Sequence, residues 1–310
     1  MNRGPSAHSL GPVLVMLIEN IEFATRCFRF LDNLIFKMYS MLNINFILKY
    51  IDLTNKRKMS KIKKYIQFIK ENNMFQYNDV IDYTLLEYTT TDDDIIDLCE
   101  KANMLGVKSV CVLPKHVTLA SEKLKNSKVL VCTVISFPEG RNTIEQKISE
   151  TNQVISDGAD EVDMVLNYHE IKGNEFYELD YLVEEVSSLV HICHSNKNKN
   201  GDSIILKVIV ESGLLTEEET KIATDICLEA EADFIKTSTG KSPIGAELNK
   251  IKIMYDVIKN VNSDMKIKAS GGVRTADQIN SMLGMVDRFG MGYDAVDKLN
   301  NIRVYSTSSY

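Results

Sequence analysis

ADFIKTSTGK, residues 232–241, and IKASGGVRT, residues 267–275, are built alike. Each is a short apolar run that carries one lysine near its end and then breaks into small residues. Lys236 and Lys268 therefore stand near the ends of two predicted strands. The glycines that follow, Gly240 and the pair Gly271–Gly272, let backbone N–H groups approach an anion. Two lysines beside such a cradle point to amine chemistry on a phosphorylated carbonyl compound.

The same rhythm extends outward from these segments. Strand-like runs occupy 79–87, 108–113, 128–135, 159–166, 203–210, 232–237, 265–270 and 302–308. Helix-like segments at 91–105, 143–156, 174–194, 217–231, 245–260 and 275–283 separate them. Thr91 with Asp94, and Thr216 with Glu219, have the spacing of helix capping boxes. Eight strands alternating with helices predict a parallel sheet, and the number eight favours closure into a (β/α)8 TIM barrel. An open doubly wound sheet is the alternative, but no glycine-rich dinucleotide turn follows the first strand. With the eighth strand at 302–308 the chain stops at Tyr310 directly after it, so the final barrel helix is expected to be missing. A helix from within residues 20–75 is the candidate to cover that gap.

Bulk properties exclude several classes. A chain of 310 residues with 44% hydrophobic and 25% charged residues is that of a soluble globular protein with a sizeable core. A net charge of −7 argues against a general nucleic-acid surface. The six cysteines show no paired spacing and read as buried thiols of a reducing compartment. HICH at 191–194 puts His191 and His194 on one helix face, but no further ligand follows at a zinc spacing, so it reads as a helix end. No apolar run reaches the roughly 18 residues of a membrane span. The apolar stretch 9–18 contains Pro12 and lacks a cleavage site, so a cytoplasmic location is expected. Residues 1–58 read as an N-terminal extension, helical and non-catalytic, and the basic run NKRKMSKIKK at 55–64 reads as a solvated linker across its boundary. Residues 59–310 read as the catalytic domain, with Met59 at its start.

Asp163, Lys207, Lys236 and Lys268 lie in four of the predicted strands. Charges in apolar strands need a reason, because an unpaired buried charge is expensive. A structural ion-pair network would be one reason. A Schiff-base site would be another, since its nucleophile must be a neutral amine while free lysine has a pKa near ~10.4. A second ammonium nearby disfavours the charged form. Lys268, on the strand after Lys236, is placed to act in this way, and a carboxylate such as Asp163 can steer protons. These considerations alone do not choose among the three lysines.

Together with GADEVDMV at 158–165, the two lysine segments resemble the deoxyribose-phosphate aldolase family, over most of residues 79–309. The resemblance implies a class I aldolase that reversibly splits 2-deoxy-D-ribose 5-phosphate into D-glyceraldehyde 3-phosphate and acetaldehyde. It implies that the Schiff base forms on Lys236, that Lys268 perturbs it and shares in proton relay, and that Asp163 relays protons through water. Lys207 would be an interior charge supporting Asp163. Asp82, Thr84 and Cys111 match positions that line the substrate pocket. Thr239, Gly240 and Lys241, then Gly271, Gly272 and Arg274, and finally Ser308 and Ser309 would hold the phosphate. Ser306 stands where the family usually has glycine. The resemblance also implies no cofactor and no metal, small sugar phosphate and aldehyde partners, no nucleic acid, no membrane, and room for a homo-oligomer. Two rivals remain: a Schiff-base barrel aldolase with another donor, and an inactive barrel that only binds sugar phosphates.

Overall fold

A computed structural model describes residues 77–173 and 179–300. Eight strands run β1 (Ile81–Leu85), β2 (Ser109–Val112), β3 (Leu130–Ile135), β4 (Glu161–Val165), β5 (Ile205–Ile209), β6 (Phe234–Lys236), β7 (Lys266–Ser270) and β8 (Arg288–Gly292). All pair in parallel with their sequence neighbours, and β8 closes on β1 through Ile81↔Phe289 and Asp82↔Gly290. The result is a closed barrel. Its helices are α1 (Asp92–Leu105), α2 (Val117–Leu124), α3 (Ile144–Ser156), α4 (Leu179–Ser195), α5 (Glu217–Glu229), α6 (Leu248–Asn260), α7 (Ala276–Met282) and α8 (Tyr293–Leu299).

Local signals explain where helices start. Thr91, Thr143, Thr216 and Thr275 each accept from the backbone N–H three residues on, and the residue there returns the bond. Such a box satisfies two N–H groups that the first helical turn leaves orphaned. α1 also places Asp92, Asp93 and Asp94 in its first turn, against the positive end of its dipole. It stops at Gly106, whose φ of 66° is left-handed backbone that glycine adopts without steric cost.

The pleat sorts each strand into two faces. Outward residues such as Val110, Val131, Met164, Val208, Ile235, Ile267 and Phe289 pack with Ile95, Val154, Val186, Ala223, Ile251 and other helix residues into one buried apolar layer. Burying a Val, Leu or Ile side chain stabilises by about 1.5–3 kcal/mol, so this layer supplies most of the driving force. The inward face carries a small separate apolar cluster, Leu86, Cys111, Leu113, Cys132 and Val134. Phe234 lies on this face too, with the Arg288 guanidinium over its ring, and beside them stand polar and charged residues.

The (β/α)8 reading holds, with three corrections. The eighth strand is β8 at Arg288–Gly292, not 302–308. The final helix is therefore present as α8, and no gap is left for another segment to cover. A further helix, α2, stands between β2 and β3 where none was expected. Glycines at 284, 290 and 292 make the β8 region read as a turn, and barrel closure overrides that weak local signal. The expected N-terminal extension, Ser306, Ser308 and Ser309 lie outside the described residues. Among those described, no helix is long and apolar enough to cross a membrane. Cys99, Cys111, Cys132, Cys193 and Cys227 are buried and free, as expected of thiols. His194 closes α4 by pairing its Nε2 with Asp233 at 3.0 Å.

Candidate active site

The barrel strands bring their inward charges to one point. Asp163 on β4 is the hub. Its Oδ2 accepts from Lys236 Nζ at 2.7 Å and from Lys268 Nζ at 2.6 Å. Its Oδ1 accepts from Lys207 Nζ at 2.9 Å and from the Cys132 thiol at 3.1 Å. Register makes this inevitable, because Asp163 is the direct partner of Lys207, and Lys236 of Lys268. One turn of the pleat deeper, Glu161 accepts from Lys207 at 2.6 Å and from both terminal nitrogens of Arg288 at 3.2 Å. Asp82 on β1 accepts from Arg288 and Ser109 and pairs with Lys268 at 2.5 Å. Gly290 makes room for this packing. A Cβ there would meet Ser270 Cβ at 2.8 Å and Lys268 Cε at 3.2 Å.

Charge balance follows from the partners. Three carboxylates (Asp82, Glu161, Asp163) face four basic groups (Lys207, Lys236, Lys268, Arg288). One basic group can thus lose its proton without leaving a carboxylate unpaired. Burial would lower Lys268, but Asp163 and Asp82 hold it above the ordinary lysine value. Burial opposes charge on Lys207 too, and Asp163 with Cys132, Glu161 and Asp82 raises it well above that value. Burial would raise Asp163, yet Lys207, Lys236 and Lys268 hold it well below the usual carboxylate range. Burial would likewise raise Asp82, and Arg288, Lys268 and Lys207 hold it below. Lys236 makes a single carboxylate contact, to Asp163.

Beyond the lysines the loops turn on glycine. Gly240, Gly271 and Gly272 all have φ near +80°, and the loop after β6 folds onto the loop after β7 through Ala246 N–H donating to Gly271 O at 2.9 Å. Glu211, buried after β5, organises this mouth. It accepts from Thr239 N at 3.1 Å, Thr239 Oγ1 at 2.5 Å and Ser242 Oγ at 2.9 Å. Both donors of Thr239 are thus used within the protein. Lys241 reaches Glu87 at 2.9 Å, and Arg274 is exposed at the start of the next turn.

The structure brings together Asp82, Asp163, Lys207, Lys236 and Lys268. Cys111 lies beside them, buried, while Thr84 is half-buried with its hydroxyl donated to Asp82 O at 2.9 Å. Ser308 and Ser309, which the resemblance implies at the phosphate, lie outside the described residues. β8 passes directly into α8, Gly292 ending the strand and Tyr293 beginning the helix. Sequence reading missed Glu161, Arg288, Ser109, Cys132 and Glu211. Glu161 was the most accessible of these, since it sits two residues before Asp163 and so on the same strand face. The ligand-type side chains that gather here, Cys111, Cys132 and Asp163, and Asp82, Cys132 and Glu161, are interleaved with the ammonium groups just described.

Lysines from three adjacent barrel strands, Lys236 at the carboxyl end of its strand and Lys207 and Lys268 midway along theirs, converge on one carboxylate, which is equipment for an amine that attacks a carbonyl. Comparison with known proteins agrees with that class. The family model of DeoC/LacD family aldolases matches residues 48–290, and the chain belongs to this family. It is 43% identical over 207 residues to the deoxyribose-phosphate aldolase of Mycoplasmoides pirum, covering 67% of this chain and 89% of that one. It is 41% identical to that of Thermoanaerobacter sp. strain X514, over 73% of this chain and 97% of the other. Among solved structures, QR15, an aldolase, matches at 35% identity with a TM-score of 0.64, covering 73% of this chain and 97% of that one. The tetrameric deoxyribose phosphate aldolase from Aeropyrum pernix matches at 27% identity with a TM-score of 0.62, over 73% and 91% of the two chains.

Proposed function

We propose that the protein is a deoxyribose-phosphate aldolase, a carbon–carbon lyase that reversibly cleaves 2-deoxy-D-ribose 5-phosphate to D-glyceraldehyde 3-phosphate and acetaldehyde. The observation that carries this reading is the sharing of one Asp163 oxygen by Lys236 and Lys268. Lys236, as neutral amine, attacks the aldehyde carbon of the open-chain sugar. Loss of water gives an iminium. A proton leaves the C3 hydroxyl, the C2–C3 bond breaks, and its electron pair is taken up by the iminium as an enamine. Glyceraldehyde 3-phosphate departs. The enamine carbon is protonated, and water frees acetaldehyde and the amine. Asp163 and the ammonium of Lys268 hold and pass the protons of these steps, and Lys207 keeps Asp163 anionic. The loops at Gly240–Lys241 and Gly271–Arg274 receive the phosphate. Buried free thiols suit a reducing compartment such as the cytoplasm. A tetrameric relative makes a homo-oligomer the natural assembly.

The test is borohydride reduction in the presence of acetaldehyde, followed by peptide mass mapping. An ethyl group is expected on Lys236, and Lys236→Arg should fall to the uncatalysed rate, since a guanidinium with pKa above ~12 cannot act as the amine. Modification at Lys207 or Lys268 instead would reassign the nucleophile. Competition between donor aldehydes and ketones separates this activity from that of an aldolase with another donor.

A further inference from the structure

Cys111 and Cys132 face each other across β2 and β3 as direct register partners. Both are fully buried on the inward side of the barrel, in the small apolar cluster that borders the charged centre. Their sulfurs and an Asp163 carboxylate oxygen all lie within 4.8 Å of one another. Adjacent strands stand about 4.8 Å apart, which falls inside the ~4.4–6.8 Å Cα span of disulfides. The other described cysteines, Cys99, Cys193 and Cys227, sit in α1, α4 and α5.

We propose that Cys111 and Cys132 form a redox-active dithiol inside the active-site chamber, which a peroxide closes to a disulfide and a thiol reductant reopens. The two sulfurs have unequal roles. Contact with the Cys132 thiol, and then the ammonium groups of Lys268 and Lys236, hold the Cys111 thiol below its ordinary value in spite of burial. Burial, Cys111 and Asp163 push Cys132 well above. Cys111 is therefore the thiolate that attacks. Its sulfur bonds to one peroxide oxygen, the O–O bond breaks, and hydroxide leaves, giving a sulfenic acid. The Cys132 sulfur then attacks Cys111, the S–O bond breaks, and the departing hydroxide takes up the Cys132 proton, for which Asp163 at 3.1 Å is the way out. Two thiols lose two electrons, and one peroxide becomes two waters.

The product is incompatible with the working site. The disulfide removes the Cys132 hydrogen bond to Asp163 and draws β2 toward β3, because paired Cβ atoms must approach to about 3.8 Å. Asp163 then shifts relative to Lys236, and a misplacement of about 1 Å costs on the order of 100-fold in rate. Bonds closed under such strain are readily reduced. Peroxide is no larger than acetaldehyde, so the path that serves Lys236 admits it. This effect on turnover rests on the proposed aldolase reading, whereas cross-linking does not.

Reduced full-length protein is treated with stoichiometric hydrogen peroxide, alkylated under denaturing conditions and digested with trypsin. The expected product joins peptides 109–115 and 129–141 with loss of two hydrogens, and turnover falls about 100-fold and returns with dithiothreitol. In Cys132→Ala, which lacks the resolving thiol, a several-fold excess of peroxide should carry Cys111 past the sulfenic acid to the sulfinic acid, which dithiothreitol should not restore. Recovery of both peptides fully alkylated, or a cross-link to any other cysteine, overturns the proposal. A 111–132 cross-link with undiminished turnover overturns its place in the working chamber. Absence of turnover in the reduced protein would count against the aldolase reading alone, since the mass map still decides the dithiol.

Discussion

At the residue scale, Asp163 is the position on which the site depends. It is fully buried and accepts from three ammonium groups and one thiol. Asp163→Asn should lower turnover by about 10²–10⁴-fold, the usual worth of a positioned proton carrier, and steady-state kinetics would check it. The same change should alter acid stability. Asp163 and Asp82 have folded pKa values depressed below the unfolded ~3.9. Their contribution is therefore complete above about pH 4 and lost as pH falls through the folded values. Lys207 and Lys268 are raised, so theirs is complete below about pH 10.4 and lost above it. Thermal midpoints against pH should show an acid limb that flattens in Asp163→Asn. A limb of unchanged steepness would mean that other carboxylates govern acid unfolding.

Among the elements, the loop after β6 is the one held from outside itself. Glu211 fixes Thr239 and Ser242 on either side of Gly240–Lys241. A hydrogen bond to a charged group is worth about 1.5–3 kcal/mol, so Glu211→Ala should raise KM for the phosphorylated sugar about tenfold or more. Cleavage of unphosphorylated deoxyribose should change far less, because the loop then has no anion to hold. Equal losses on both substrates would show that Glu211 serves the fold and not the cradle. At this scale the capping boxes were readable in advance, since Thr91–Asp94 and Thr216–Glu219 need only local spacing. β8 was not readable. Its run RFGMG lacks β-branched residues, and only pairing with β7 and β1 makes it a strand.

For the whole molecule, stability and chemistry are placed on opposite faces of one sheet. The outward layer stabilises the barrel, while the inward charges cost desolvation that their pairing only offsets. The iminium is the electron sink of the proposed reaction, so turnover should persist after dialysis against EDTA. Loss that zinc restores would require a metal-dependent aldolase. Because α8 follows β8, every strand of the barrel has a helix behind it within the described residues. A chain beginning at Met59 is therefore expected to retain turnover and its melting temperature. Thermal unfolding beside the full chain tests this, and a large drop would make residues 1–58 part of the fold.

The sequence by itself determined the alternation of strands and helices, the presence of lysines at strand ends, and the glycine loops beyond them. These are local facts, legible because periodicity and turn chemistry act over a few residues. Only the tertiary structure decided which strand closes the barrel, that Arg288 and Glu161 complete the ion cluster, and that two cysteines 21 residues apart meet beside Asp163. The physical reason is barrel closure. It sets the register between strands distant in sequence, and register, not spacing along the chain, chooses which buried charges touch.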